Sequence, residues 1–114
     1  MKSWDEALGF AMSLTDVIVA NSYGRPAAKV AATGRAFLSM GKESDSFCLS
    51  LDRDTIDLLK ETDPATFYQT PHYEGWDAVL VRYGSADPDR VIAMIERAHD
   101  YAAARPKRRP RTHR

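Results

Sequence analysis

Residues 27–51 read AAKVAATGRAFLSMGKESDSFCLSL, and this stretch decides the fold class. From Ala27 onward, successive side chains alternate between two sides of an extended chain, which is the period of a β-strand. Thr33-Gly34 and the polar run 41–45 interrupt this pattern with residues that favour tight turns. The stretch therefore predicts an antiparallel meander of three strands, which begin at Ala27, Arg35 and Ser46.

Helical patterns lie on both sides of this meander. Ser3-Trp4-Asp5-Glu6 has the form of a capping box, and apolar residues then recur at helical spacing over residues 4–14. Asp52 is a candidate N-cap for a second helix, which Asp63-Pro64 ends. Asp87-Pro88 starts a third helix, which ends near Ala104.

Two further strands are predicted, a short one over residues 66–70 and a stronger one over residues 78–83. Residues 16–21 are interpreted as a transition, although they contain a β-branched run. The predicted order is α-β-β-β-α-β-β-α, an antiparallel β-sheet flanked by helices in the α+β class. One domain is expected over residues 1–104, because a chain of 114 residues buries a single core.

Charge is distributed unevenly along the chain. Residues 1–104 contain ten Lys and Arg against sixteen Asp and Glu, a net charge of −6. The last ten residues contain six cations and two prolines, and we expect a disordered basic tail over residues 105–114. Such a tail attracts polyanions through counterion release, whereas the alternatives are a solubility tail or a protein-interaction tail.

Nothing in the sequence predicts catalysis, a cofactor or a metal. His72, His99 and His113 have no neighbouring His or Cys at ligand spacing, and the lone Cys48 lies in an apolar strand pattern. No phosphate-binding glycine motif or nucleophile elbow is present. We therefore expect a non-enzymatic, cytoplasmic protein without a membrane segment.

Two loops are candidates for a binding site, because loops display side chains on a rigid frame. The first contains Tyr23, and the second contains His72 and Tyr73, followed by Trp76. In the functional interpretation these rings stack on a base or hold a phosphate. In the structural interpretation, His72 donates to a backbone carbonyl and holds the loop, while Tyr73 and Trp76 close over the edge of the core.

Cations within the predicted strands are the candidates for docked phosphate contacts. Lys29, Arg35 and Arg82 lie in strands and would form a basic strip on one sheet face. The alternative is a solvated outer face, over which the stems of these side chains lie. In the tail, the candidate contacts are Lys107, Arg108, Arg109 and Arg111.

The two loop motifs and their surroundings resemble the MmcQ/YjbR-like family of small bacterial proteins. The resemblance rests on Tyr23-Gly24-x-Pro26-Ala27-x-Lys29-Val30, Gly34-x-x-Phe37, Leu51-Asp52, Thr70-Pro71-His72-Tyr73-x-Gly75 and Val79-Leu80-Val81-Arg82. It covers the chain up to about Ala104. It implies a fold like that of the bacterial frataxin homologue CyaY, also described as a double-wing DNA-binding motif, and hence a DNA-binding protein. A role with iron is not expected, because Asp5, Glu6 and Asp16 are too few for an acidic ridge.

Two functions are the main candidates at this point, and a third, an enzyme that uses His72, would require an acid or nucleophile within hydrogen-bond reach of the His72 ring. The first is a DNA-binding protein of weak sequence specificity, with phosphate contacts from the tail and a sheet face. The second is a domain that binds a small ligand or a protein partner through the loops of Tyr23, His72 and Tyr73. The ligand, the DNA sequence preference and the oligomeric state do not follow from the sequence.

Overall fold

The computed structural model describes residues 1–22 and 24–106. These residues form α1 (Trp4–Met12), β1 (Val17–Ser22), β2 (Arg25–Val30), β3 (Arg35–Met40), β4 (Ser46–Ser50), α2 (Arg53–Thr62), β5 (Phe67–Tyr68), β6 (Ala78–Arg82) and α3 (Pro88–Ala104). The strands form one antiparallel sheet with the spatial order β1-β2-β3-β4-β6-β5. The predicted α+β class is confirmed.

The strand β1 corrects the predicted element order. Residues 16–21 were expected to form a transition, but β1 pairs with β2 from Val17↔Val30 to Ser22↔Arg25. The described order is therefore α-β-β-β-β-α-β-β-α. The β-branched run favours an extended chain, and Asp16, with φ of 61°, supplies the left-handed turn for which glycine would be usual.

Side-chain caps start all three helices, as their sequences predict. Ser3 Oγ accepts from the amide of Glu6 at 3.2 Å, and Asp52 accepts from the amide of Thr55 at 3.1 Å. Asp87 accepts from the amide of Arg90 at 3.2 Å, and Pro88 occupies the first turn of α3. These bonds satisfy amide groups that have no partner within the helix, so the helix starts were readable from local sequence.

The helices cover one side of the sheet, which we call the helix face. The pairing of β2 with β3 contains a β-bulge. Ala28 pairs with Leu38 but Lys29 pairs with Ala36, which leaves Phe37 as an extra residue of β3. Phe37 and Leu38 are consequently both buried in the main core. The core also contains Phe47, Leu49, Leu51, Ile56, Leu59, Phe67, Val79, Val81, Val91 and Ile95.

The opposite side of the sheet, which we call the loop face, has a smaller apolar centre. Ala27, Cys48 and Leu80 alternate with residues of the main core and are themselves buried. They are not part of the main core cluster. Loop segments lie on this face. The turn between β3 and β4 approaches Leu80, since a Cβ added at Gly41 would lie 3.3 Å from Leu80 Cδ2, and the loop of residues 69–77 joins β5 to β6. In the described part of the chain, none of the helices has the length and apolarity to cross a membrane.

Candidate nucleic-acid interface

Charge is segregated between the strands and the helices. The strands, all within the described residues, carry four cations and no acidic residue: Arg25, Lys29, Arg35 and Arg82. Most acidic residues lie on the helices or at their caps: Asp5, Glu6, Asp52, Asp54, Asp57, Glu61, Asp63, Asp87, Asp89, Glu96 and Asp100. Three of the four strand cations therefore lie on the face opposite the helices, whereas Arg35 lies on the helix side. The loops between the strands also carry acidic residues, namely Glu43, Asp45, Glu74 and Asp77.

Arg82 is held by its own chain. Its guanidinium carbon lies 3.8 Å from the centre of the Tyr68 ring, and Nη1 donates to the carbonyl of Ala65 at 3.2 Å. Nε also lies 3.8 Å from a carboxylate oxygen of Asp45. A stacked and hydrogen-bonded guanidinium has few donors left for a phosphate, so the structure favours the structural interpretation of Arg82.

Arg35 lies apart from the loop face. It pairs with Val30, a residue of the main core, and its Nε donates to the carbonyl oxygen of Pro106 at 2.7 Å. Thr33 Oγ1 donates to the carbonyl of Ala102 nearby, at 3.1 Å. Together these bonds hold the end of α3 against the start of β3.

Lys29 lies on the loop face, but the structure does not bring it close to Arg82. The registers place Arg82 at the end of the sheet where Arg25 lies, whereas Lys29 is four residues further along β2. Three strand spacings of about 4.8 Å also separate β2 from β6, or about 14 Å in all. The three predicted strand cations therefore form no single cluster.

Arg25 was not among the predicted contacts and lies on the loop face. It helps to line a cavity of about 490 Å³ at its end of the sheet, together with Lys2, Lys42 and the carboxylate of Glu43. Trp4 and Tyr83 add aromatic surface to the same cavity. Its position in the loop sequence Ser22-Tyr23-Gly24-Arg25 was the signal that could have identified it.

The 69–77 loop is held by Gln69, which sequence reasoning missed. Gln69 Nε2 donates to the carbonyls of Tyr73, Trp76 and Ala78, at 3.0, 3.2 and 2.7 Å. Its Oε1 accepts from two side chains of α2: Arg53 at 3.1 Å and Lys60 at 2.9 Å. The role that the structural interpretation gave to His72 thus belongs to Gln69, which ties the loop to a helix.

Three aromatic rings cluster on this loop. The His72 ring centroid lies 5.0 Å from that of Tyr73 and 5.4 Å from that of Trp76. His72 is exposed and Trp76 is 53% exposed, whereas Tyr73 is half-buried. Trp76 therefore does not close over the core edge, and two rings of the cluster are accessible to a ligand.

Tyr73 connects this cluster to the loop face. Burial is the main cause that raises the pKa of Tyr73, and the nearby Cys48, Arg25 and Glu43 act on it as well. Cys48 and Arg25 are both loop-face residues, so the Tyr73 hydroxyl lies within electrostatic range of this face. Burial also raises the pKa of the Cys48 thiol to about 11, which keeps it protonated and unreactive, as its apolar context predicts.

Some predicted site residues lie outside the described residues. They are Tyr23, Lys107, Arg108, Arg109 and Arg111. His99 is described and has a structural role: its ring packs edge-on against Phe37, and Nε2 donates to the Thr15 carbonyl at 2.7 Å. Over residues 1–22 and 24–106, no group of three or more His, Cys, Asp or Glu side chains is arranged to hold a metal ion.

Comparisons with protein-family models, with curated proteins and with solved structures each found no match to this chain. The resemblance to the MmcQ/YjbR-like family therefore stays a prediction from the sequence. The same holds for the CyaY-like fold and the DNA binding that it implies.

Proposed function

We propose that this chain is a non-enzymatic DNA-binding protein of weak sequence specificity. The observation that carries the proposal is the placement of Arg25, Lys29 and Arg82 on the face of the sheet that the helices leave free. A net negative domain repels phosphate unless its cations are concentrated on one surface. The cavity at the end of this face adds Lys2 and Lys42, which together with Arg25 outnumber its one carboxylate, Glu43.

The aromatic rings favour single-stranded DNA over duplex. Trp76 and His72 expose flat surfaces beside a cationic face, and such surfaces stack on unpaired bases whatever their sequence. In a duplex the bases are already stacked on one another, so these rings would gain little. Residues 107–114 contribute five further cations, which act on either form of DNA because they contact only the backbone.

The test measures the affinity for a labelled single strand and for a duplex of equal length as salt increases. Three variants separate the contributions: Trp76→Ala, the pair Arg25→Gln and Lys29→Gln, and a chain with all five cations of residues 107–114 changed to Gln. Arg97→Gln is the control, since Arg97 is an exposed cation on the helix side with 57% of its side chain accessible.

We expect Trp76→Ala to weaken single-strand binding by about 1–3 kcal/mol and to leave duplex binding nearly unchanged. Neutralising the five tail cations should reduce the logarithmic salt slope by about 3.5 to 4.5, because each phosphate contact contributes roughly 0.7 to 0.9. Arg97→Gln should change neither quantity. Absence of salt-dependent binding by the unmodified chain would refute the proposal. Loss of binding only in the tail variant would show that the tail binds DNA and that the loop face does not.

A second function is favoured by the same rings, which would also suit a small ligand or a protein partner. The exposed His72 and Trp76, together with the cavity lined by Trp4 and Tyr83, are the observations that support it. It predicts no affinity for DNA in any of these measurements. It also predicts that Trp76→Ala abolishes capture of the ligand, whereas tail neutralisation has no effect.

A further inference from the structure

The two edges of the sheet differ in how they are protected. At one edge, β5 has only two residues, and Arg82 stacks on its Tyr68. At the other edge, β1 has six residues, VIVANS, without a charge or a proline. Proteins usually protect such edges with charges, prolines, bulges or short strands, because unpaired backbone groups attract other strands.

The backbone groups of β1 that face outward can be identified from the register. The carbonyl of Asp16 accepts from the amide of Ala31 at 2.8 Å. These two residues are the next facing pair after Val17↔Val30 in the same register. Because bonding direction alternates along an antiparallel strand, the even-numbered residues bond to β2. Val17, Val19 and Asn21 therefore direct their amide and carbonyl groups to the open edge.

Apolar side chains flank these groups. The described residues contain five large hydrophobic side chains that are exposed: Met12, Ile18, Val19, Leu58 and Trp76. Ile18 and Val19, each 47% exposed, lie on opposite faces of β1. Met12 ends α1, the helix that contacts β1. The edge thus combines unpaired backbone groups with apolar surface on both sides.

We propose that β1 is a dimerisation edge, on which the β1 of a second copy of this chain pairs antiparallel about a two-fold axis. When the two-fold axis is perpendicular to the sheet, it must pass beside a residue that faces the same residue of the second copy. In any other register, the side chains of facing residues would point to opposite sides of the sheet. With Val19 at the axis, Val17 pairs with Asn21 of the second copy. This register uses all the outward groups of β1, for about six hydrogen bonds.

The chemistry of the strand favours a second copy as the occupant. At the Val19 axis, Val19 meets Val19 on the helix face, and Ile18 meets Ala20 on the loop face, so apolar side chains face apolar ones. Asp16 lies opposite Ser22 of the second copy, and Arg25 pairs with that Ser22 on β2, about 10 Å from Asp16. At both ends of the paired strands an acidic residue of one copy therefore lies within about a Debye length of a basic residue of the other. Both helix layers lie on the same side of the resulting continuous sheet.

The test uses charge at the axis. Val19→Lys and Val19→Glu each place like charges face to face in a homodimer, which should weaken self-association at least about 100-fold. Mixed in equal amounts, the two variants should restore a dimer, because Lys and Glu then face each other. The measurement is the mass in solution by sedimentation equilibrium, and circular dichroism checks the fold of each variant. Leu58→Lys, an equally exposed position on α2, is the matched control and should stay dimeric.

A second measurement needs no variant. Amide exchange of the unmodified chain should slow at Val17, Val19 and Asn21 as protein concentration rises, while exchange in β5 stays constant. An unmodified chain that stays monomeric at its highest soluble concentration would overturn the proposal. So would a Val19→Lys variant that still dimerises, or a mixture of the two charged variants that does not.

Discussion

The two faces of the sheet are built in different ways. On the helix face, large side chains from three helices and most strands pack into one continuous core. On the loop face, small side chains such as Ala27, Ser39 and Cys48 alternate with the core residues, and loops rather than helices lie on this side. Gln69, Arg53 and Tyr101 bond the loop of residues 69–77. The difference shows that one face of a sheet can be packed for stability while the other keeps accessible rings and cations.

The largest effect should come from matched leucines on the two faces. Leu49 on the helix face and Leu80 on the loop face are both fully buried. Leu49→Ala should reduce the free energy of unfolding by about 3–5 kcal/mol, and Leu80→Ala by about 2–3 kcal/mol, because the turn at Gly41, which lies against Leu80, can relax into the space more easily than a helix. Urea unfolding measures both. A loss below about 1 kcal/mol for Leu80→Ala would show that the side chain of Leu80 is not tightly packed on this face.

The next effect is alkaline sensitivity confined to the loop face. The pKa of Cys48 rises from 9.0 to about 11 in the folded state, mainly through burial. The unfolded chain therefore loses this proton first, and the contribution of Cys48 is complete below pH 9.0 and lost as pH rises to about 11. The loss should be about 2–3 kcal/mol, from roughly two pKa units.

The measurement for this effect is the free energy of unfolding between these pH values for the unmodified chain and for Cys48→Ala. The variant should lack the part of the slope that Cys48 causes, although tyrosines titrate in both. Equal slopes in the two chains would contradict the assignment.

A smaller effect should follow from releasing the loop. Gln69→Glu keeps the bonds to Arg53 and Lys60 but replaces the donor that holds three carbonyls with a repelling oxygen. It should reduce stability by about 1–3 kcal/mol, because the Tyr73 and Ala78 carbonyls lose this donor, whereas the Trp76 carbonyl keeps its bond from Arg53. A thiol reagent should also reach Cys48 sooner. Glu74→Gln, an exposed change in the same loop, should alter neither quantity.

The outcome for Gln69→Glu separates two descriptions of the loop. If Cys48 becomes reactive while the unfolding midpoint falls little, the loop opens as a local unit and the helix face remains intact. If reactivity of Cys48 stays unchanged, Gln69 does not hold the cover of this face, and the contrast between the two faces disappears.

Local chemistry made much of the fold readable from the sequence. Asp52 and Asp87 cap their helices through bonds to residues three positions away, and β3 and β4 begin at the predicted residues Arg35 and Ser46. β1 was missed because Asp16 makes its turn without a glycine, and an uninterrupted β-branched run hides the alternation of an edge strand. The strand that escaped prediction is the one that leaves the sheet open at one side.

The candidate site was less predictable, because its geometry depends on contacts between residues that are distant along the chain. Arg82 looked like a free cation, but it stacks on the Tyr68 ring and donates to the carbonyls of Pro64 and Ala65, just before β5. Gln69 looked like an ordinary strand-end residue, and only the folded loop brings the three carbonyls to it. Exposure of His72 and Trp76 depends in turn on that anchor.

The two-residue length of β5 has a consequence for assembly. A sheet with two long free edges can add chains at both and grow without limit, as fibrils do. Here β5 offers too little backbone for a partner strand, so addition is confined to the side of β1. With a valency of one, association through strand edges ends at a closed pair, and the short strand acts as a chain terminator for polymerisation.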